Sequence, residues 1–431
     1  MTSSKQTPRA SEPFGEQGNA ASSGALQPLE IHVEDEISPL EAVIVHSPGA
    51  EMERLTPPNH KELLFDDLLA PAVARREHAS FTTLMQARGI QVLELTDLLT
   101  TTLENPEARR FVIENTFNWK RLGPLMSPRI QEWLEGLSAA QLCELCLQGI
   151  TNEEWAAISS EPSLVAQSLA PDDFLVSPLP NHMFTRDASV WAYGGVAISS
   201  MSREARRRES LHYAAIYKYH PAFADSDFRV WTEGRAGASR SVEGGDILVL
   251  GDGLLAVGIS ERTTPQGVEH LAMQLFEAEK ANRVMAVMLP KSREFMHLDT
   301  VMTQLDHDKF SLYPAARDLD AVLLERSGET ATIRQLEGGA AKGLEDVLGR
   351  PLTFVAPDAT SAELSREQWN DGFNMLALAP GVVVAYDRTP RSNNAMREAG
   401  IEVLEIEGSE LGRGRGGPRC MSAPVKRSAA T

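Results

Sequence analysis

Cysteine is scarce. Cys143, Cys146 and Cys420 are the only three in 431 residues. An odd count this small does not make a disulfide scaffold, and it points to a reducing, cytoplasmic setting. Basic residues are also short, 41 against 60 acidic, for a net charge of −19. That surplus argues against nucleic acid as a partner, because phosphate contacts need a basic surface, and it suits a small cationic substrate. No apolar run reaches the ~18 residues of a membrane-spanning helix, so no membrane partner is expected. Residues 1–27 are rich in Ser, Ala, Gly and Pro. They lack the apolar stretch of about 7–15 residues found in a secretory signal, and they read as a disordered tail. The Gly-rich phosphate loop of nucleotide enzymes is missing as well.

What is present has ordinary globular composition, 42% hydrophobic and 23% charged, with length for about three domain-sized units. Residues 42–47 (AVIVHS) and 90–95 (IQVLEL) read as strands, with an amphipathic helix expected between 55 and 77. From about 100 to 170 apolar residues recur at helical spacing. Ser138 with Gln141 resembles a capping box, Gly149 suits a C-cap, and no strand stands out. Beyond 171 short strands return, at 189–192, 247–250, 254–257, 284–288, 300–305, 321–325, 352–355, 382–386 and 403–406, with a helix at 265–279. The reading is an α/β chain of several similar units. The tail covers 1–27, a first catalytic part 28–99, an inserted helical bundle 100–170 and the remainder 171–431.

Five clusters carry candidate chemistry. Residues 181–187 (NHMFTRD) put polar groups just ahead of a strand, where loops often carry function. Glu243-Gly-Gly-Asp246 crowds two carboxylates, which either hold a cation or act as acid and base; an ordinary turn is the plain alternative. His297 and Asp299 share one face if 297–305 runs as a strand. That pairing suits proton transfer beside a charge-binding group, with metal ligation as the rival. Cys420 follows three arginines and several glycines in 412–420. Cationic neighbours favour the thiolate nucleophile, and the glycines suit a movable loop. Cys143 and Cys146 form a CxxC inside a helical apolar pattern, which reads as packing. The basic run 203–208 reads as a solvated helix face. A thiol, a histidine and surplus carboxylates together suggest covalent attack on a cationic electrophile such as guanidinium. A cysteine peptidase fits the Cys and His but leaves the carboxylates without a task.

The segments 63–67 (LLFDD), 184–187 (FTRD), 243–246 (EGGD), 261–263 (ERT), 296–301 (MHLDTV), 369–372 (WNDG) and 412–421 occur in the order and spacing of one family. The chain resembles an arginine deiminase of the guanidino-modifying superfamily from about residue 39 to 427. The resemblance implies a five-bladed α/β propeller with an inserted helical domain. It implies hydrolysis of L-arginine to L-citrulline and ammonia, with water as co-substrate, no metal or organic cofactor, and a homo-oligomer. Carried over, Cys420 is the nucleophile, and Asp187 and Asp299 bind the guanidinium. Glu243 and His297 move protons. Arg206, Arg262 and Asn181 hold the substrate carboxylate. Arg415 is a loop residue near the substrate, Leu64 makes a backbone contact to it, and Asp246 joins the binding set. Sister activities on agmatine, dimethylarginine or amidino transfer are the near alternatives; paired carboxylate-binding arginines speak against agmatine. Phe373 and the segment 387–390 depart from the family pattern at positions of packing.

Overall fold

The computed structural model describes residues 28–234 and 238–429. The expected tail, 1–27, lies outside them. Five sheets of three or more strands and one two-stranded ribbon form among the described residues. The five share one plan: an antiparallel pair, then a third strand laid parallel to the second after a helical crossover.

In the first unit Leu40–Val45 is the middle strand. It pairs antiparallel with Ala423–Arg427 and parallel with Gln91–Glu94, across the helix Pro71–Gln86. The second unit joins Ser189–Ala192, Gly195–Ile198 and Arg229–Glu233. The third joins Ile247–Val249, Leu254–Ile259 and Arg283–Met288, and the hairpin Ala321–Ser327 with Thr330–Leu336 widens it to five strands. The fourth joins Met302–Gln304, Lys309–Leu312 and Thr353–Val355, and the fifth Leu376–Ala379, Val382–Tyr386 and Glu402–Ile406. A parallel pair needs a long crossover, which explains why a helix recurs at that point of each unit. Each sheet is discrete, and none closes on itself.

The helix expected from residue 55 begins only at Pro71 and runs to Gln86. Pro57 and Pro58 remove two backbone donors ahead of it, and proline is at home only in a helix's first turn. The helical stretch starts early, at Leu95–Leu103, and continues through Pro106–Thr116, Trp119–Glu135, Ala139–Gln148 and Asn152–Ile158. The capping box of Ser138 and Gln141 is present, and Gly149 takes φ 74° beyond it. A side chain at Gly149 would meet the carbonyl of Val176. One short strand does occur here, Ile150–Thr151, paired with Phe174–Val176. The helices do not form a separate core. Leu99, Val112, Leu142 and Cys143 pack in one cluster with Trp191, Tyr213 and Val425 of the sheet units. The sequence reading also misses the strands Gly195–Ile198, Arg229–Glu233, Lys309–Leu312, Thr330–Leu336, Leu376–Ala379 and Ala423–Arg427. These are short, small-residue or charge-rich segments that tertiary pairing, not intrinsic propensity, holds extended.

Candidate active site

Each unit places a tight turn before its first strand, and the candidate catalytic residues sit on four of those turns. Asp187 lies in the turn Thr185–Ala188 before Ser189–Ala192. Glu243 caps the turn Gly244–Asp246 before Ile247–Val249. His297 caps Leu298–Thr300, which contains Asp299 and precedes Met302–Gln304. Cys420 precedes Ala423–Arg427. The glycines of 244–245 let these turns touch. A Cβ on Gly245 would lie 2.6 Å from His297 Nδ1 and 2.7 Å from Asp187 Oδ1.

The strand expected over 297–305 is confined to Met302–Gln304, so His297 and Asp299 are not alternate residues of one strand. Asp246 accounts for the difference. Its Oδ1 accepts the N–H of Leu298 at 2.9 Å, which folds 298–300 into a turn, while its Oδ2 accepts Ser260 Oγ–H at 2.7 Å. Asp246 therefore positions the turn instead of facing a ligand, and burial lifts its acid to about 7.

His297 Nε2 is 2.9 Å from Glu243 Oε2, and its Nδ1 is 3.5 Å from Asp187 Oδ1. Burial disfavours the imidazolium, but Asp187, Glu243 and Asp246 outweigh it and raise His297 to about 9. Burial likewise opposes charge on Glu243, yet Arg262 and His297 hold it at about 2. The pair is an imidazolium on a carboxylate. Cys420 Sγ lies 3.6 Å from Asp299 Oδ2, and the carbonyl of Cys420 accepts the N–H of Arg186, beside Asp187, at 3.1 Å. Asp187 Oδ1 and Asp299 Oδ1 are buried without a hydrogen bond from the protein. Two carboxylate oxygens left open, on residues whose charges both act on the Cys420 sulfur, can accept planar N–H donors.

The thiol does not behave as its arginine-rich neighbourhood suggests. Burial pushes Cys420 well above its ordinary value, and Asp299, Asp187 and Asp371 add to this against Arg419. The arginines point elsewhere. Arg413 pairs with Asp67 at 2.6 Å, Arg415 stacks on Trp369 at 3.5 Å, and Arg419 reaches Glu36 at 3.0 Å and Asp299 at 2.7 Å. The loop itself is packed, with Gly412, Arg415 and Arg419 buried.

The residues expected at the substrate's amino-acid end divide into two groups. Arg206 is committed to protein partners: Nη1 donates to Asp187, Nε and Nη2 to Glu209, and Nη2 also to the carbonyls of Asn181 and Phe184. Asn181 donates to the carbonyl of Leu63, and the carbonyl of Leu64, at φ 68°, accepts from Arg293 at 2.7 Å. Arg262 is held as well: its Nε donates to Glu261 at 3.0 Å, its Nη1 is 3.5 Å from Glu243 and its Nη2 faces the sulfur of Met296. Arg415 has φ 67°, and its Nε and Nη1 are buried without a partner.

The run 203–208 is a solvated face only in part. Arg203 and Arg207 are exposed, but Arg206 and Arg208 are buried, and Arg208 donates to the carbonyls of Cys146 and Ser177. Cys143 and Cys146 are buried helix residues, and burial raises Cys146 to about 12. Sequence reasoning missed Glu36, which Arg419, Arg186 and Arg427 surround. No motif marks it; only the sequence distance to Arg419, closed by the first unit's sheet, brings it in. Among the described residues, no group of three or more His, Cys, Asp or Glu is placed to hold a metal, and no helix is long and apolar enough to cross a membrane.

The family model for arginine deiminase matches residues 61–427. Among solved structures, the amidinotransferase SxtG from Microseira wollei, of the saxitoxin pathway, is similar with a TM-score of 0.54 and 14% identity, over 93% of this chain and 98% of that one. The N-terminal domain of ArgZ, covalently bonded to a reaction intermediate, is similar with a TM-score of 0.52 and 13% identity, over 90% and 98%. At such identities these two speak for the α/β fold alone. The family match spans most of the chain and takes in every turn described above, and the chain belongs to the arginine deiminase family.

Proposed function

We propose that the chain hydrolyses free L-arginine to L-citrulline and ammonia through a thiouronium intermediate on Cys420, without metal or organic cofactor. The observation that carries this reading is that Asp187 and Asp299, whose charges both act on the Cys420 sulfur, each keep an Oδ1 without a hydrogen bond from the protein, with Asp187 Oδ1 3.5 Å from His297 of the His297–Glu243 pair. A guanidinium bridging the two aspartates brings its carbon to the sulfur. Its positive charge offsets the carboxylates that oppose the thiolate, so substrate binding itself eases loss of the Cys420 proton to solvent water. The thiolate adds to the carbon, imidazolium His297 gives a proton to the departing nitrogen, and ammonia leaves. Neutral His297, oriented by Glu243, takes a proton from water as the oxygen attacks. The C–S bond breaks, and citrulline and the thiol are released.

For the α-carboxylate, Arg415 offers the unpaired Nε and Nη1, with Arg262 and Asn181 as the further carboxylate-binding residues. Arg206 contributes through Asp187, which it orients. The same reading takes the five units as blades about one axis, with 100–170 as an inserted helical stretch that packs on their core, in a cytoplasmic homo-oligomer. The test is purified protein with L-arginine and, separately, agmatine. Citrulline and ammonia in equal amounts from arginine, with agmatine far slower, support it. Comparable kcat/KM for both compounds, or no citrulline, overturns it.

A further inference from the structure

The turn before the first strand carries a candidate residue in four units, and the fifth unit has such a turn with none assigned. Residues 370–374 precede Leu376–Ala379, and Asn374 stands there, fully buried. Its Nδ2 lies 3.1 Å from Cys420 Sγ and 2.9 Å from the carbonyl of Asp299, and its Oδ1 accepts the N–H of Cys420 at 3.2 Å. The backbone N–H needs an acceptor and the Asp299 carbonyl needs a donor. Both demands fix the same orientation of the amide, with an N–H on the sulfur.

We propose that Asn374 is a catalytic residue whose amide N–H holds Cys420 Sγ in line and stabilises its thiolate. Among the described residues, no other N–H is directed at that sulfur; the thiol's own proton points to Asp299 Oδ2. A neutral donor stabilises S⁻ more than S–H and adds no charge to repel the guanidinium. The local structure is built to hold this amide. Asp371 takes φ 64° to close the turn, and its carbonyl accepts the N–H of Asn374 at 3.0 Å. A Cβ on Gly372 would lie 2.7 Å from Ser392 Oγ, and the Phe373 carbonyl accepts from Thr303 at 2.6 Å. A strained backbone at a non-glycine residue is retained only where its surroundings demand it.

The proposal rests on Cys420 being the nucleophile of the proposed reaction, but its test needs no arginine. Iodoacetamide alkylation of the Cys420 peptide is followed by mass spectrometry against pH in the full chain. Asn374→Asp keeps the shape and the acceptor for Cys420 N–H but loses the donor. Its thiolate should be depleted roughly tenfold at a given pH, with kcat falling far more than KM. Asn374→Ala should shift the alkylation profile in the same direction. In unmutated protein, the Asn374 side-chain amide resonance should move as the thiol titrates. An unchanged alkylation profile in either folded variant, or an amide resonance that ignores the thiol, overturns the proposal. Failure to make citrulline with this profile intact would instead overturn the reading of function.

Discussion

Arg206 Nη1 donates to Asp187 Oδ2 at 2.5 Å. Two side chains expected at opposite ends of a substrate are thus bonded to each other, and Arg206 also holds Glu209 through Nε and Nη2. Removing this guanidinium leaves two buried carboxylates uncompensated. Arg206→Ala should therefore lower stability by about 3–5 kcal/mol as well as activity, whereas Arg262→Ala should mainly raise KM for arginine and narrow the arginine-to-agmatine ratio. Denaturant unfolding beside kcat/KM distinguishes the two. Equal stability in both variants would show that Arg206 is not structural.

The imidazolium of His297, held to about 9, is the proton donor of the proposed reaction. Activity should fall as pH rises through about 9 and His297 becomes neutral. Glu243, held at about 2, should add no acid limb above that value. A pH profile of kcat/KM checks this. A basic limb near the ordinary histidine value would mean that the carboxylates do not hold the proton.

His46 gives stability its own pH dependence. It lies 3.2 Å from both Glu51 and Glu94, and these carboxylates overcome burial to raise it to about 10. Its folded pKa exceeds its unfolded one. The stabilisation is complete below about pH 6.5 and is lost by about 1.4 kcal/mol per unit as pH climbs toward the folded value. Tm should decline across that window, and His46→Gln should flatten the decline.

Cys420→Ser should abolish citrulline formation, and Cys143→Ser or Cys146→Ser should leave it largely intact, since both residues are buried thiols of helix Ala139–Gln148. Turnover should also survive exhaustive chelation. Loss on EDTA with recovery on one added metal would overturn the cofactor-free mechanism.

Much of the site was readable because its parts are short local motifs. Glu243-Gly-Gly-Asp246 and the segments around His297 and Cys420 announce themselves by residue type, and the structure brings them together. What the sequence hid is of two kinds. The protonation of Cys420 depends on where Arg413, Arg415 and Arg419 point, and each is turned to a partner distant in sequence or to an aromatic ring. Glu36 and the extended form of 423–427 are likewise set by pairing across nearly the whole chain. Local spacing holds no trace of such long-range contacts. The helical stretch was legible because its caps and apolar period are local, but its sharing of a core with Trp191 and Tyr213 was not.

The strand Leu40–Val45 takes its antiparallel partner from Ala423–Arg427, three residues past Cys420. During synthesis the earlier strand waits with one edge unpaired while some 380 residues are added. Contacts this remote close late and slowly. The sulfur and the sheet that seats it arrive together, so a nascent chain has no assembled centre to react prematurely. Until then its open strand edge is the place for a chaperone to cover, and the place where crowded, half-made chains would adhere to one another.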